Sequence, residues 1–433
     1  MLPPCGDGVS RRVYEKTCIY RFCDYGNKGT LSKISSAQND VFAVFKDAKL
    51  KEIRNMGKDT FLPPTGTRDI EPFEAQTRDM VINAVSASFK KYGFNSVETP
   101  SLEKLENLIG KKGGENEKLI FKILKRGDEL KESLGAQEEN FSQENSLQEN
   151  TLSDLGLRYD LTIPLARYYA HFKDKLPKPF KVFQIGNVWR AERPQKSRYR
   201  QFTQCDIDII GDASPACEIE LIYVICKTLR ELNIKNFEIR VNDRRILRAI
   251  SRACGIESES EYRDFLIAFD KLDKKPLEEV VSELKDKNFP ESVLKNVKKM
   301  FQKLAENKNS IDTPRALLDK IESEEYLKAC ENIENIIKSV RSLCEGIIIR
   351  FDPSLVRGMD YYTGTIFEVN EINGRISFGG GGRYDNMIGS FSGQDVCACG
   401  FSLGFERIID AFFSKAGEIF QTPKKAAITG SLI

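Results

Sequence analysis

The chain has 433 residues, 40% of them hydrophobic and 30% charged, with 66 basic side chains set against 64 acidic ones. That is soluble globular composition, long enough for roughly two or three domains. A net charge of +2 excludes a global positive field, so any nucleic-acid surface must be a local patch. No apolar run approaches the ~20 residues that span a bilayer, so no membrane partner is expected. The eleven cysteines are scattered, odd in number and follow no signal peptide, and they read as reduced thiols. Cys397 and Cys399 have no second pair and no nearby histidine, so no metal site is expected. Asp7, Glu15 and Asp24 interrupt the early basic residues, against a transit peptide, and favour a cytoplasmic location.

Residues 1–60 lack a strong period and read as an amino-terminal extension. A turn at Pro63–Asp69 then opens a first core segment, 61–244. Met80, Val81, Ala84, Val85 and Phe89 recur at helical spacing, Gly93 stops the helix, and Phe94–Pro100 reads as a strand. Residues 131–153 repeat Gln-Glu-Asn with too little apolar surface to order themselves, and an unordered insertion is expected there. Strands are predicted within 181–210 and 237–241, with a helix at 215–232 between them. Leu and Val spaced among Lys and Glu predict a helical insertion domain at 245–345. A second core segment, 346–420, returns to strands at 346–350, 366–370 and 376–378, and a last helix starts near Gly404. The expected fold class is α+β, a six- or seven-stranded antiparallel sheet flanked by helices.

The chemistry concentrates in Val188–Glu192 and Arg198–Phe202, two strand-like runs around a loop bearing Arg193, Lys196 and Arg198. If 202–210 is a strand, Phe202, Gln204, Asp206 and Asp208 share one face while Cys205, Ile207 and Ile209 face a core. An aromatic plate, an amide and two carboxylates beside guanidiniums suit an adenine ring, a triphosphate and a cationic amine. A charged surface hairpin has the same composition.

The order of residues favours the first reading. This stretch resembles motif 2 of class II aminoacyl-tRNA synthetases. The helix–strand–proline pattern ending at Pro100 resembles motif 1, the dimer element, and Gly404-Phe405-Glu406-Arg407 resembles motif 3. Leu355–Gly364 and Gly379-Gly380-Gly381-Gly382-Arg383-Tyr384-Asp385 resemble the two motifs peculiar to histidyl-tRNA synthetases. Arg158–Thr162 and Val241–Arg245 extend the likeness, which covers roughly residues 62–425. The family's motif 2 often carries histidines where Ala191 and Thr203 stand here, but neither position is assigned chemistry.

The resemblance implies a ligase that activates L-histidine with ATP and transfers it to tRNA(His), as a homodimer. It implies that Asp160, Thr162 and Gln204 hold the α-amino group, with Leu161 in the same site. Asp208 and Tyr362 would read the imidazole, with Tyr361 and Tyr384 lining the pocket. Arg190 and Arg357 would be the catalytic arginines at the α-phosphate and the attacked carboxylate. Glu192 and Phe202 would hold adenine, and Arg198 and Arg407 the outer phosphates. Mg²⁺ would be held mainly by the ATP phosphates. The glycine run would let a ligand lie against backbone. The only histidine, His171, is read as structural or surface-exposed. Lysines at 271, 274, 275, 298 and 299 either solvate a helical face or, by resemblance, help clamp the tRNA acceptor stem.

Twenty-six residues follow Arg407; 421–433 reads as the start of an anticodon-binding domain, which needs roughly 50 residues, and Ala426–Ile433 resembles its first strand, interrupted. Synthetase-like regulatory subunits of ATP phosphoribosyltransferase, which bind histidine without adenylating it, are the alternative. They usually lose the catalytic arginine, whereas this chain keeps Arg190, Glu192, Arg357 and Arg407.

Overall fold

Helix formation after the opening turn follows from local chemistry. Pro72 fits the first turn, Glu74 lies near the positive helix end, and Lys90 and Lys91 lie near the negative end of α1 (Pro72–Lys91). Val81, Val85 and Phe89 form its buried stripe, and Gly93, at φ +80°, ends it. Met80, expected with the stripe, is instead 72% exposed, and Phe73 is 63% exposed.

The computed structural model describes residues 61–109, 115–140, 152–194, 198–272, 275–306, 314–317, 323–358, 362–372 and 376–419. The chain divides at Pro64–Thr65, and the architecture below concerns the unit Thr65–Ile433. All of the expected extension 1–60, and all of 421–433, lie outside the described residues.

A long antiparallel hairpin organises the fold: β5 (Phe180–Trp189) pairs with β6 (Gln201–Ile210) through ten consecutive residue pairs. Its connection is longer than the predicted loop because the ladder closes at Trp189 and Gln201. β7 (Phe237–Asp243), β9 (Thr365–Glu371), β10 (Ser377–Arg383) and β11 (Ala398–Gly404) complete six antiparallel strands, in the order β5-β6-β11-β10-β9-β7. Two short edge strands, β1 (Asn95–Ser96) and β8 (Ile348–Phe351), add on in parallel to β5 and β7. The sheet therefore has eight strands rather than six or seven. A parallel neighbour needs a crossover, and the whole helical segment between β7 and β8 is that crossover. A second sheet, ordered β2-β4-β3, joins Leu102–Lys104, Ser153–Leu157 and Phe121–Leu124. Its strand β4 leads directly to Arg158–Thr162.

The helices α5 (Ala216–Glu231), α6 (Arg244–Ala253), α7 (Glu259–Phe269), α8 (Leu277–Asp286), α9 (Glu291–Glu306) and α10 (Glu324–Leu343) follow the predicted periodicity. Their buried side chains run without a break into one sheet face: Phe265, Phe269 and Phe301 belong to the same core as Ile207, Ile239 and Phe367. Several lysines of this segment are already paired, Lys271 and Lys275 with Glu283, and Lys298 with Glu278. The expected unordered insertion needs correction at its start. A helix occupies Gly127–Asn140, where Leu, Lys, Glu, Gln and Ala are good helix formers despite low hydrophobicity. Residue 153 begins β4, and 141–151 lie outside the described residues.

Candidate active site

Alternation along β6 sorts its side chains as predicted: Cys205, Ile207 and Ile209 enter the core, while Gln204, Asp206 and Asp208 lie on the opposite face, all buried. The Tyr384 hydroxyl donates to Asp208 Oδ1 at 2.6 Å. Gly400 faces Asp208 across the strand pair, and a Cβ there would collide with the carboxylate. Asp160 precedes α4 (Thr162–Phe172), and its Oδ1 accepts from the Ile163 backbone N–H at 3.0 Å. Leu161 is buried beside it, and its carbonyl accepts from Gln184 Nε2. Tyr362 packs its ring against Gly358 and Gly382 and lies near Tyr384. Tyr361 lies outside the described residues.

Three carboxylates thus gather at one pocket, Asp206 and Asp208 buried and Asp160 half-buried. Burial raises the pKa of Asp160 even though the helix-end N–H groups and Arg190 oppose it. Burial and the neighbouring Asp208 push Asp206 well above the usual range. Burial also carries Asp208 up to about 7, with Tyr384 opposing and Asp160 adding to the rise. Such a pocket has a deficit of positive charge that a cationic ligand would fill.

Arginines adjoin it. Arg190, immediately after β5, donates from Nε to the Tyr159 carbonyl at 3.1 Å and lays its guanidinium over the Phe202 ring at 5.0 Å. Glu192 pairs with Arg198 at 3.2 Å. Arg407, on α12 (Phe405–Ile419), donates to the Ser377 carbonyl at 2.6 Å. Burial, then the charges of Arg357 and Arg198, lower its pKa, which marks a cationic cluster. Arg357 Nη1 is buried without a hydrogen-bond partner, 3.4 Å from Glu368. Arg190 lies close enough to the carboxylates for its charge to be felt by Asp160 and Asp206.

The glycine run also has a role inside the protein. It forms β10 itself, and a Cβ on Gly380 would occupy the Arg357 guanidinium, while one on Gly381 would strike the Gly400 backbone. These glycines make room for the protein's own arginine and for the neighbouring strand. His171 is exposed and lies edge-on to Phe172.

A family model described as histidyl-tRNA synthetase matches residues 128–408. The histidine–tRNA ligase of Leifsonia xyli is 44% identical over 352 residues, spanning 80% of this chain and 79% of that one. That of Phocaeicola vulgatus is 38% identical over 80% of this chain and 75% of its own. The chain belongs to the histidyl-tRNA synthetase family. The crystal structure of histidyl-tRNA synthetase from Nostoc sp. PCC 7120 superposes with a TM-score of 0.64 at 26% identity, covering 83% of this chain and 76% of that one. A protein from Bacillus halodurans C, solved as an ATP phosphoribosyltransferase regulatory subunit/histidyl-tRNA synthetase, shares the fold at 22% identity and a TM-score of 0.63.

Several residues that build this synthetase site escaped the sequence reading. Glu406, in the motif 3 resemblance, accepts two bonds from Arg78 (2.6 and 2.8 Å), one from Arg68 and one from the Thr203 backbone N–H. It pins α1 and β6 beside Arg407. Burial alone would raise its pKa, but the Arg78 pair holds it below the usual range. Arg383, quoted only as a motif residue, instead binds Glu218 with two 2.7 Å bonds and ties β10 to α5. The sequence offers no role for Ser402, and Asp206 enters there only as one of two carboxylates on the site face of β6. Glu406, Ser402 and Glu218 carry no local signal of their distant partners.

The elevated Asp208 pKa has a measurable consequence. Between the ordinary carboxylate range and about 7 the folded, ligand-free protein binds this proton more tightly than the unfolded chain does. Stability from this group is therefore present at low pH and falls as pH rises through that window. Urea titrations from pH 5 to 8 should show this decline, and Asp208→Asn should flatten it. An unchanged slope in the variant would assign the titration elsewhere.

Proposed function

We propose that this chain condenses L-histidine with ATP to histidyl-adenylate and then transfers the histidyl group to the 3′ end of tRNA(His). What carries the reading is a set of buried carboxylates on β6 with Arg190 beside them, together with the clustered charges of Arg198, Arg357 and Arg407. The first suits a small cationic, imidazole-bearing substrate. The second suits a triphosphate.

In this reading Asp160, Thr162 and Gln204 receive the α-ammonium, with Leu161 closing the pocket. Asp208 and Tyr362 bond the imidazole nitrogens, with Tyr361 and Tyr384 around the ring. The adenine stacks on Phe202 and bonds near Glu192, and Arg198 and Arg407 grip the β- and γ-phosphates. One carboxylate oxygen of histidine attacks the α-phosphorus, a P–O bond forms, and pyrophosphate departs with the electron pair of the broken bond. Two anions meet in that step, so Arg190 and Arg357 act by neutralising charge at the α-phosphate rather than by moving a proton. In the second step a terminal ribose hydroxyl attacks the carbonyl carbon and AMP leaves. Mg²⁺ would be held mainly by the phosphate oxygens and water. Among the described residues no group of three carboxylate, histidine or cysteine side chains is arranged to hold a metal ion.

The test is histidine-dependent exchange of pyrophosphate into ATP, followed by acylation of a tRNA(His) transcript. Histidine binding without exchange, in folded protein with Mg²⁺, would support the regulatory alternative. We also propose a cytoplasmic homodimer joined through the α1–β1 region, whose exposed Phe73 and Met80 offer an apolar surface. Residues 245–345, treated as an insertion domain, are the proposed contact for the tRNA acceptor stem. Sedimentation at micromolar concentration should give the dimer mass, and a monomer would overturn that part.

A further inference from the structure

Strand β11 reads Gly400-Phe401-Ser402-Leu403-Gly404, and its register places Gly400, Ser402 and Gly404 opposite Asp208, Asp206 and Gln204. Two glycines flank one serine, so Ser402 carries the only β11 side chain at these three positions on the site face. Gln204 Nε2 donates to Ser402 Oγ at 2.8 Å and lies 3.4 and 3.5 Å from the two Asp206 oxygens. The Ser402 hydroxyl also lies near enough to the Asp206 carboxyl to oppose the rise in its pKa. On the other side of β6, Gly186 faces Gln204 and Gln184 faces Asp206. The Gln184 amide is already engaged with the Leu161 carbonyl and the Thr99 hydroxyl, so it does not compete.

This arrangement turns the amide nitrogen of Gln204 inward. Its Oε1 is then left buried without a partner, in a residue only 8% exposed. An unpaired buried carbonyl is costly unless a donor arrives. An amide free to rotate could offer either end to a ligand, since nitrogen and oxygen differ only in hydrogen-bonding sense.

We infer that Asp206 and Ser402 are positioning residues that lock the Gln204 amide, so that an acceptor alone faces the substrate's α-ammonium. This rests on the proposed role of Gln204 as an ammonium ligand. Without the lock, the amide would turn its NH₂ group toward the ammonium for part of the time. Affinity for histidine would fall, and so would discrimination against the α-hydroxy analogue, imidazole-lactate, which brings no ammonium.

Pyrophosphate exchange by the full chain tests it, with imidazole-lactate as a competitive probe. Ser402→Ala should raise KM for histidine about tenfold, the scale of one hydrogen bond to a charged group, and leave KM for ATP within about twofold. Asp206→Asn should act in the same direction, and Ser402→Thr, which restores a hydroxyl, should recover most of the affinity. In a Gln204→Ala background the added Ser402→Ala change should have little further effect, because the positioned group is gone. Additive effects of the two substitutions would overturn the inference, as would an equal rise in both KM values with a lowered melting temperature. If Gln204→Ala leaves KM for histidine unchanged, the reading of Gln204 as an ammonium ligand fails instead.

Discussion

Arg357→Ala should lower kcat for histidine-dependent pyrophosphate exchange by about 10²–10³-fold, with KM for histidine changed far less. The expectation follows from where the guanidinium sits. Its Nη1 is buried, 3.4 Å from Glu368 and without a hydrogen-bond partner, so it keeps bonding capacity for an incoming anion. Arg407 lies close enough for their charges to oppose; Glu368 offsets part of that crowding, and an anion bound between them would offset the rest. A charge that acts chiefly on the transition state lowers kcat rather than raising KM. Gly380→Ala should approach the same phenotype without touching the arginine, because the new Cβ would fill the guanidinium's place. Exchange by Arg357→Ala within about threefold of the unaltered chain would remove Arg357 from the chemical step.

Glu218→Ala should cost about 3–5 kcal/mol of stability, the loss expected when one partner of a buried ion pair is removed. Glu218 is fully buried and accepts two 2.7 Å bonds from Arg383, whose remaining bonds go to the carbonyls of Asp212 and Ser214 and to Asp385. Two carbonyls and a more distant carboxylate cannot replace the lost charge. The urea midpoint should fall markedly for Glu218→Ala and less for Glu218→Gln, which keeps the shape and one acceptor. Histidine affinity should fall too, because Tyr384 follows Arg383 in the chain and its hydroxyl reaches Asp208. An unchanged midpoint would mean that the carbonyls suffice.

Both predictions turn on pairings that differ in how far they could be read in advance. The sequence by itself determined the class of fold, several of its helices and strands in order, and the family, but not the strand β11 or the second sheet. Each rests on local information: a 3.6-residue period marks α1, and a two-residue alternation puts Gln204, Asp206 and Asp208 on one face of β6. Short motifs of fixed composition bring Arg190, Arg357 and Arg407 into the same account. The misjudged details were those where local composition competes with context. Gln-Glu-Asn repeats looked unable to order themselves, yet residues 127–140 have the propensity to form a helix. Met80 kept the helical period but faces outward, because the buried stripe of α1 is narrower than the period suggested.

Only the tertiary structure decided what surrounds those residues. It set Gly380 beneath Arg357, Ser402 beside Gln204, Glu218 against Arg383 and Glu406 across Arg78. The last two pairs lie 165 and 328 residues apart in the chain. It also made the helical segment between β7 and β8 a crossover that shares the main core. The physical reason is the same throughout. Periodicity and propensity act over a few residues and fix which way a side chain faces. The partner it meets depends on strand order and register, which arise from the packing of the whole chain.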